Sequence, residues 1–277
     1  MIEENYKHQK DISIESVNRI ICIMNYQSSG SCLMSSLLDN HPNILITADD
    51  VLGGFVDFWK DHGHLCIDEL IIKFIDDYAM LFDSRMKNRG NVYDGEILGL
   101  TSLGIERDEF LEVDANSFQH HMKCLIGNTH PVPRKLFFQS LHVSYCKALG
   151  HNLNNPVIVF GLKNLVHRER FDAIMEDFSD VSFLMMVRNP VDVVASRFRW
   201  QNRIGVDVLR GFGRALLNAA RAGVCDTKTS SSWRAVRLED LHNAPEKTMR
   251  KVSNWLKIDW WSNETSSSFN SYRIING

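Results

Sequence analysis

The chain has no C-x-x-C pair, no apolar run approaching the ~18 residues that span a bilayer, no internal repeat and no excess of basic residues. Each absence removes a class of protein. The six cysteines, Cys22, Cys32, Cys66, Cys124, Cys146 and Cys225, are scattered, which reads as reduced thiols rather than a disulfide frame or a zinc site. A net charge of −3 leaves no global basic surface for duplex nucleic acid or an anionic membrane, so any anion site must be local. The opening MIEENYKHQKDISIE is polar and lacks the apolar core of a signal peptide. The expectation is a soluble, cytoplasmic protein with neither nucleic acid nor membrane as partner. Also missing is G-x-x-x-x-G-K-[ST], which disfavours a magnesium-dependent ATP site.

What is present is ordinary in amount and informative in order. The 277 residues are 44% hydrophobic and 23% charged, enough for a large core. Ile20 to Met24 form an unbroken apolar run rich in β-branched residues, which predicts a strand buried on both faces. Gln27-Ser28-Ser29-Gly30-Ser31 follows as a small-residue loop, then Leu33, Met34, Leu37 and Leu38 at one-face helical spacing until His41-Pro42. Strand, small-residue loop and helix in this order point backbone N–H groups and a positive helix end at one spot, as phosphate sites require.

Further strands are predicted at 43–46, 157–160, 181–187 and 233–238, alternating with helices at 170–177, 191–200, 206–221 and 245–256. Between them, helical patterns occupy 51–59, 65–82, 107–126 and 135–149, with a glycine-broken loop at 84–104. Strands alternating with helices imply a parallel sheet with helices on both faces. The expectation is one domain over 1–277, a three-layer α/β/α fold with about five mostly parallel strands, nucleotide-kinase-like, carrying a helical insertion at about 51–149.

In open parallel sheets ligands sit beyond the carboxyl ends of the strands. That rule selects the loop from Gln27 to Cys32, then Asp49 and Asp50, Lys163, and Arg188-Asn189-Pro190. Arg188 offers a planar fork to a phosphate, and Ser196 a hydroxyl about two helical turns further on. A single charge at a strand end is more often a salt bridge or a cap, and four on one edge beside such a loop make a stronger case.

These residues resemble the sulfotransferase family. Ser28-Ser29-Gly30-Ser31-Cys32-Leu33 with His41-Pro42 is similar to its 5′-phosphosulfate loop. Arg188-Asn189-Pro190 through Ser196 is similar to its 3′-phosphate motif, and Arg237-Leu238-Glu239-Asp240-Leu241 to its Tyr-Glu-Asp-Leu strand end. The resemblance implies 3′-phosphoadenosine-5′-phosphosulfate (PAPS) as donor, its desulfonated form PAP as product, a small-molecule acceptor and no metal. It implies donor binding by Ser28, Ser29, Gly30, Ser31, Cys32, Arg188 and Ser196. It makes Asp49 the acceptor base, with Asp50 and His142 as alternatives, and Lys163 the cation at the leaving group. Three departures stand out: Ser28 replaces a basic residue, Cys32 a hydroxyl residue and Leu238 a tyrosine. A small-molecule kinase of related topology and an inactive PAP-binding protein are the competing readings. The insertion, with Phe55, Phe58, Trp59, Phe137 and Phe138, is expected to line an acceptor pocket, although such aromatics are commonly core.

Overall fold

The computed structural model describes residues 14, 17, 19–25, 28–39, 41–47, 49–89, 96, 100–151, 156–163, 168–204, 232–262, 268–269 and 272–273. At 25, 49–51, 163, 168, 200–204, 268–269 and 272–273 the description covers the backbone alone. The helix expected over 206–221 lies outside the described residues, as does nearly all of the arm at 1–17.

The sheet is built from β1 (Arg19–Asn25), β2 (Ile44–Ile46), β3 (Val157–Lys163), β4 (Asp180–Val187) and β5 (Trp233–Arg237), in the order β2-β3-β1-β4-β5. Every pairing is parallel. The first apolar run therefore becomes the central strand, and Ile20 through Met24 are wholly buried. Side-chain alternation divides this strand between two cores. Ile20, Cys22 and Met24 join Ile158, Phe160, Leu162 and Phe183 on one face. Ile21 and Ile23 join Val159, Leu184, Met186 and Val236 on the other.

Helices cover both faces. Met34, Leu37 and Leu38 of α1 (Ser31–Leu38) pack in the second core. Between β2 and β3 the described helices are a 3-10 turn (Asp49–Gly54), α2 (Phe55–His62), α3 (Ile67–Asp77), a second 3-10 turn (Ala79–Leu81), α4 (Ala115–Ile126) and α5 (Arg134–Ala148). Their apolar faces fill the first core. Beyond β3 come α6 (Arg168–Asp177), α7 (Pro190–Ile204), α8 (Leu238–Asn243) and α9 (Pro245–Leu256). A short antiparallel pair, β6 (Ser268–Phe269) and β7 (Tyr272–Arg273), closes the described chain.

Two helices are shorter than their patterns predict: α3 ends at Asp77, and α4 starts late. Residues 107–114 are not helical, because Glu109 bridges to Leu103 and Glu112 to Asp83, and Arg107 takes a left-handed φ of 60°. The helix starts at Ala115, where the Asp114 carboxylate accepts from the Asn116 N–H at 2.9 Å and caps it.

Candidate functional site

Three strand-to-helix turns meet at the carboxyl edge of β1, β4 and β5, which are neighbours in the sheet. The first joins β1 to α1. Ser28 takes φ 52° and Gly30 takes φ 95°, a left-handed conformation that glycine adopts freely. A Cβ at position 30 would lie 2.6 Å from Leu238 Cδ1, so the leucine side chain would have to shift to admit one. The α1 helix begins without a side-chain cap and without an acid in its first turn. Its own first turn thus brings no negative charge to its positive end, which suits an anion there. Ser29 and Ser31 are buried, and the Ser29 hydroxyl has no hydrogen-bond partner among the described residues. Cys32 is exposed.

The second turn joins β4 to α7. Arg188 leaves the strand and turns back, its Nη1 donating to the Ser28 carbonyl at 3.2 Å. The first loop has no cation of its own, and the second turn places one beside it. Asn189 caps α7, its Oδ1 accepting from the Val191 N–H at 2.9 Å, and Pro190 has no N–H to satisfy. Ser196 is half-buried on the same helix.

The third turn joins β5 to α8 and grips the other two. Leu238 packs against Gly30. The Glu239 Oε1 accepts from the Asn189 N–H at 2.7 Å, and its Oε2 lies 3.6 Å from Arg237 Nε. The Asn189 N–H above all, with lesser help from its own backbone N–H and the charges of Arg237 and Arg188, holds the Glu239 carboxyl below the usual carboxylate range. Sequence reasoning did not single out Glu239 for this role. Its signal was present in the Tyr-Glu-Asp-Leu-like stretch, but only the strand order shows that this stretch abuts the Arg188 turn.

The remaining predicted residues lie on the β2 and β3 side. Asp49 opens the 3-10 turn that follows β2, and Asp50 is next to it. Lys163 is the last residue of β3, in register with Asn25 of β1. The side chains of all three lie outside the described residues. The 3-10 turn rests against β3 and is tied to α6 by Arg170, whose Nη1 donates to the Gly53 carbonyl at 3.0 Å while Nη2 pairs with Asp57. His142 is sealed inside α5, with Nδ1–H donating to the Phe138 carbonyl at 2.8 Å. Burial lowers its pKa to about 4, against a smaller upward effect of that hydrogen bond. Phe55, Phe58, Phe137 and Phe138 are core residues stacked among themselves, and Trp59 is half-buried against them. A cavity of about 740 Å3 lies between β5 and the α8–α9 pair, lined by Arg234, Lys247, Lys251 and Trp255 among others, and includes none of the predicted site residues. Among the described residues no group of three or more His, Cys, Asp or Glu is placed to hold a metal, and no helix is long and apolar enough to cross a membrane.

Comparison with known proteins bears on family and fold. The profile described as "Sulfotransferase family" matches residues 21–262. Among solved structures, the sulfotransferase domain from the curacin biosynthetic pathway superposes with a TM-score of 0.55 at 16% identity, covering 90% of this chain and 77% of that one. The sulfotransferase domain of the Synechococcus PCC 7002 olefin synthase gives 0.46 at 17% identity, covering 93% and 78%. No curated sequence matches.

Burial of His142 has a consequence for pH. Its folded-state pKa of about 4 lies below the ~6.5 of an unfolded histidine. Between those values the unfolded chain binds more protons, so stability falls as pH drops through the window. Urea unfolding across it should show the wild type losing up to about 3 kcal/mol more than His142→Leu; parallel pH profiles would contradict this.

Proposed function

The chain belongs to the sulfotransferase family, and from that premise we propose that it moves the sulfuryl group of PAPS to a hydroxyl or to an amine or amide nitrogen of a small acceptor, a natural product or carbohydrate, in the cytoplasm. In this reading 1–277 work as one domain and the insertion at 51–149 supplies the acceptor side. The observation that carries the proposal is the joining of two anion-suited turns by the Arg188 to Ser28 hydrogen bond. PAPS carries a phosphosulfate at one end of its ribose and a phosphate at another. Two adjoining anion cradles suit such a donor better than one.

The chemistry asks for few groups. The acceptor loses a proton to a base as its oxygen or nitrogen forms a bond to sulfur, the bond from sulfur to the bridging oxygen breaks, and PAP leaves with the electron pair. Donors around the sulfuryl oxygens and a cation at the bridging oxygen stabilise the charge that moves. Ser28, Ser29, Gly30, Ser31 and Cys32 cradle the phosphosulfate in this reading, and Arg188 with Ser196 holds the 3′-phosphate. Lys163, at the end of the strand beside β1, serves the leaving oxygen. Asp49 is the base. Its claim is supported by its place after β2 on the same edge of the sheet, and by the burial that removes His142 from contact with solvent.

Transfer of labelled sulfuryl from PAPS to an acceptor panel tests the activity, and two variants test the roles. Arg188→Ala should weaken PAP binding by about 1.5–3 kcal/mol, the worth of a charge-assisted hydrogen bond; unaltered affinity in calorimetry would remove Arg188 from the site. Asp49→Asn should leave PAP affinity within about twofold while transfer falls by about 100-fold or more, the contribution typical of a general base. Full turnover in that variant would pass the role to Asp50.

A further inference from the structure

The turn from β5 to α8 touches both cradles and contributes no cation or hydroxyl at its two contacts with them. Leu238 presses on Gly30, the left-handed residue of the first loop. One residue later, Glu239 takes the Asn189 N–H of the second. Both contacts come from the first two residues of α8, directly after a strand that borders β4, while β4 borders β1. We propose that this turn sets the spacing between the two phosphate-binding loops, with Glu239 as a positioning residue that makes the site select a nucleotide phosphorylated at both the 3′ and 5′ positions over one phosphorylated at the 5′ position alone. The inference rests on the donor reading above.

The chemistry of the contact supports positioning over direct binding. A carboxylate near a bound phosphate repels it, so Glu239 gains nothing for the ligand by its charge. What it does is take up a backbone donor. With Asn189 N–H held by Glu239, Val191 N–H held by the Asn189 side chain and Pro190 lacking an N–H, the opening of α7 spends its first donors on the protein. A phosphate there relies on side chains, Arg188 and Ser196, whose reach depends on where the loop sits. Arg188 is next to the clamped residue and already spans to Ser28. Moving Asn189 would move the guanidinium and its link to the first loop together. The 5′ cradle keeps its own support, since the Gly30 carbonyl accepts the Met34 N–H at 3.0 Å and opens α1 regardless of Glu239.

The test compares PAP with adenosine 5′-monophosphate on the full chain by calorimetry, the weaker ligand measured by displacement. Glu239→Ala should weaken PAP at least tenfold and leave the monophosphate within twofold, so the preference for the bisphosphate collapses. Glu239→Gln keeps an oxygen for the Asn189 N–H and drops the repulsive charge; it should hold PAP within about threefold of wild type. Equal weakening of both ligands in Glu239→Ala would mean general damage to the fold and overturn the inference. Tighter PAP binding in that variant would also overturn it, making the carboxylate an obstacle. Failure of the wild type to bind PAP at all would overturn the donor reading and this inference with it. Normal PAP binding by the wild type with an unaltered ratio in Glu239→Ala would overturn this inference alone.

Discussion

Every strand of the five-stranded sheet runs the same way, so every strand delivers its chain to a turn on the same edge. The rest of the molecule follows from that constraint. A parallel sheet needs crossovers, the crossovers are helices on both faces, and each helix starts beside the end of a strand with its positive pole turned to that edge. Order within the sheet then decides which turns meet. With β1 between β3 and β4, and β5 outside β4, the small-residue loop, the Arg188 turn and the Glu239 turn become neighbours although about 160 and 50 residues separate them along the chain.

The site solves a charge problem. Its first loop has a serine where the sulfotransferase motif that it resembles has a basic residue, so the helix pole and the backbone are its own resources. A helix pole is worth about 0.3–1 kcal/mol near the surface, up to about 2 when partly buried. A charge-assisted hydrogen bond from a guanidinium is worth about 1.5–3 kcal/mol. In the proposed reading Arg188 adds a contribution of that size to the loop's own, since its Nη1 lies against the Ser28 carbonyl. In this account one arginine does part of the work of two cations.

Much of the fold was legible because its strands are short apolar runs and its helices have apolar faces, both recorded directly in residue order. Four of the five sheet strands were readable in this way, including β2 with only Ile44–Ile46, whereas β5 is WRAVR, with two arginines. Residues 107–114 misled because a helical spacing of apolar residues says nothing of the backbone bridges from Glu109 to Leu103 and from Glu112 to Asp83. The site was legible in part. Loop chemistry at Ser28 to Cys32 and the fork of Arg188 announce themselves by residue type, and the structure brings those turns together. The clamp by Leu238 and Glu239 does not, since a leucine and a glutamate at a helix start have local explanations and their partners lie on other strands. Nor could burial of Phe137 and Phe138 against Phe55 be separated from a pocket wall on sequence grounds, because both roles ask for the same aromatic side chains.

The claim on which the account turns is that the paired cradles are built for a 3′,5′-bisphosphorylated nucleotide and not for a triphosphate. Calorimetric titration of the full chain with PAP, and separately with ATP in the presence of magnesium, measures this most directly. The account predicts that PAP binds more tightly than ATP and that magnesium leaves PAP affinity unaltered. Tighter binding of ATP with magnesium would contradict it and favour a kinase.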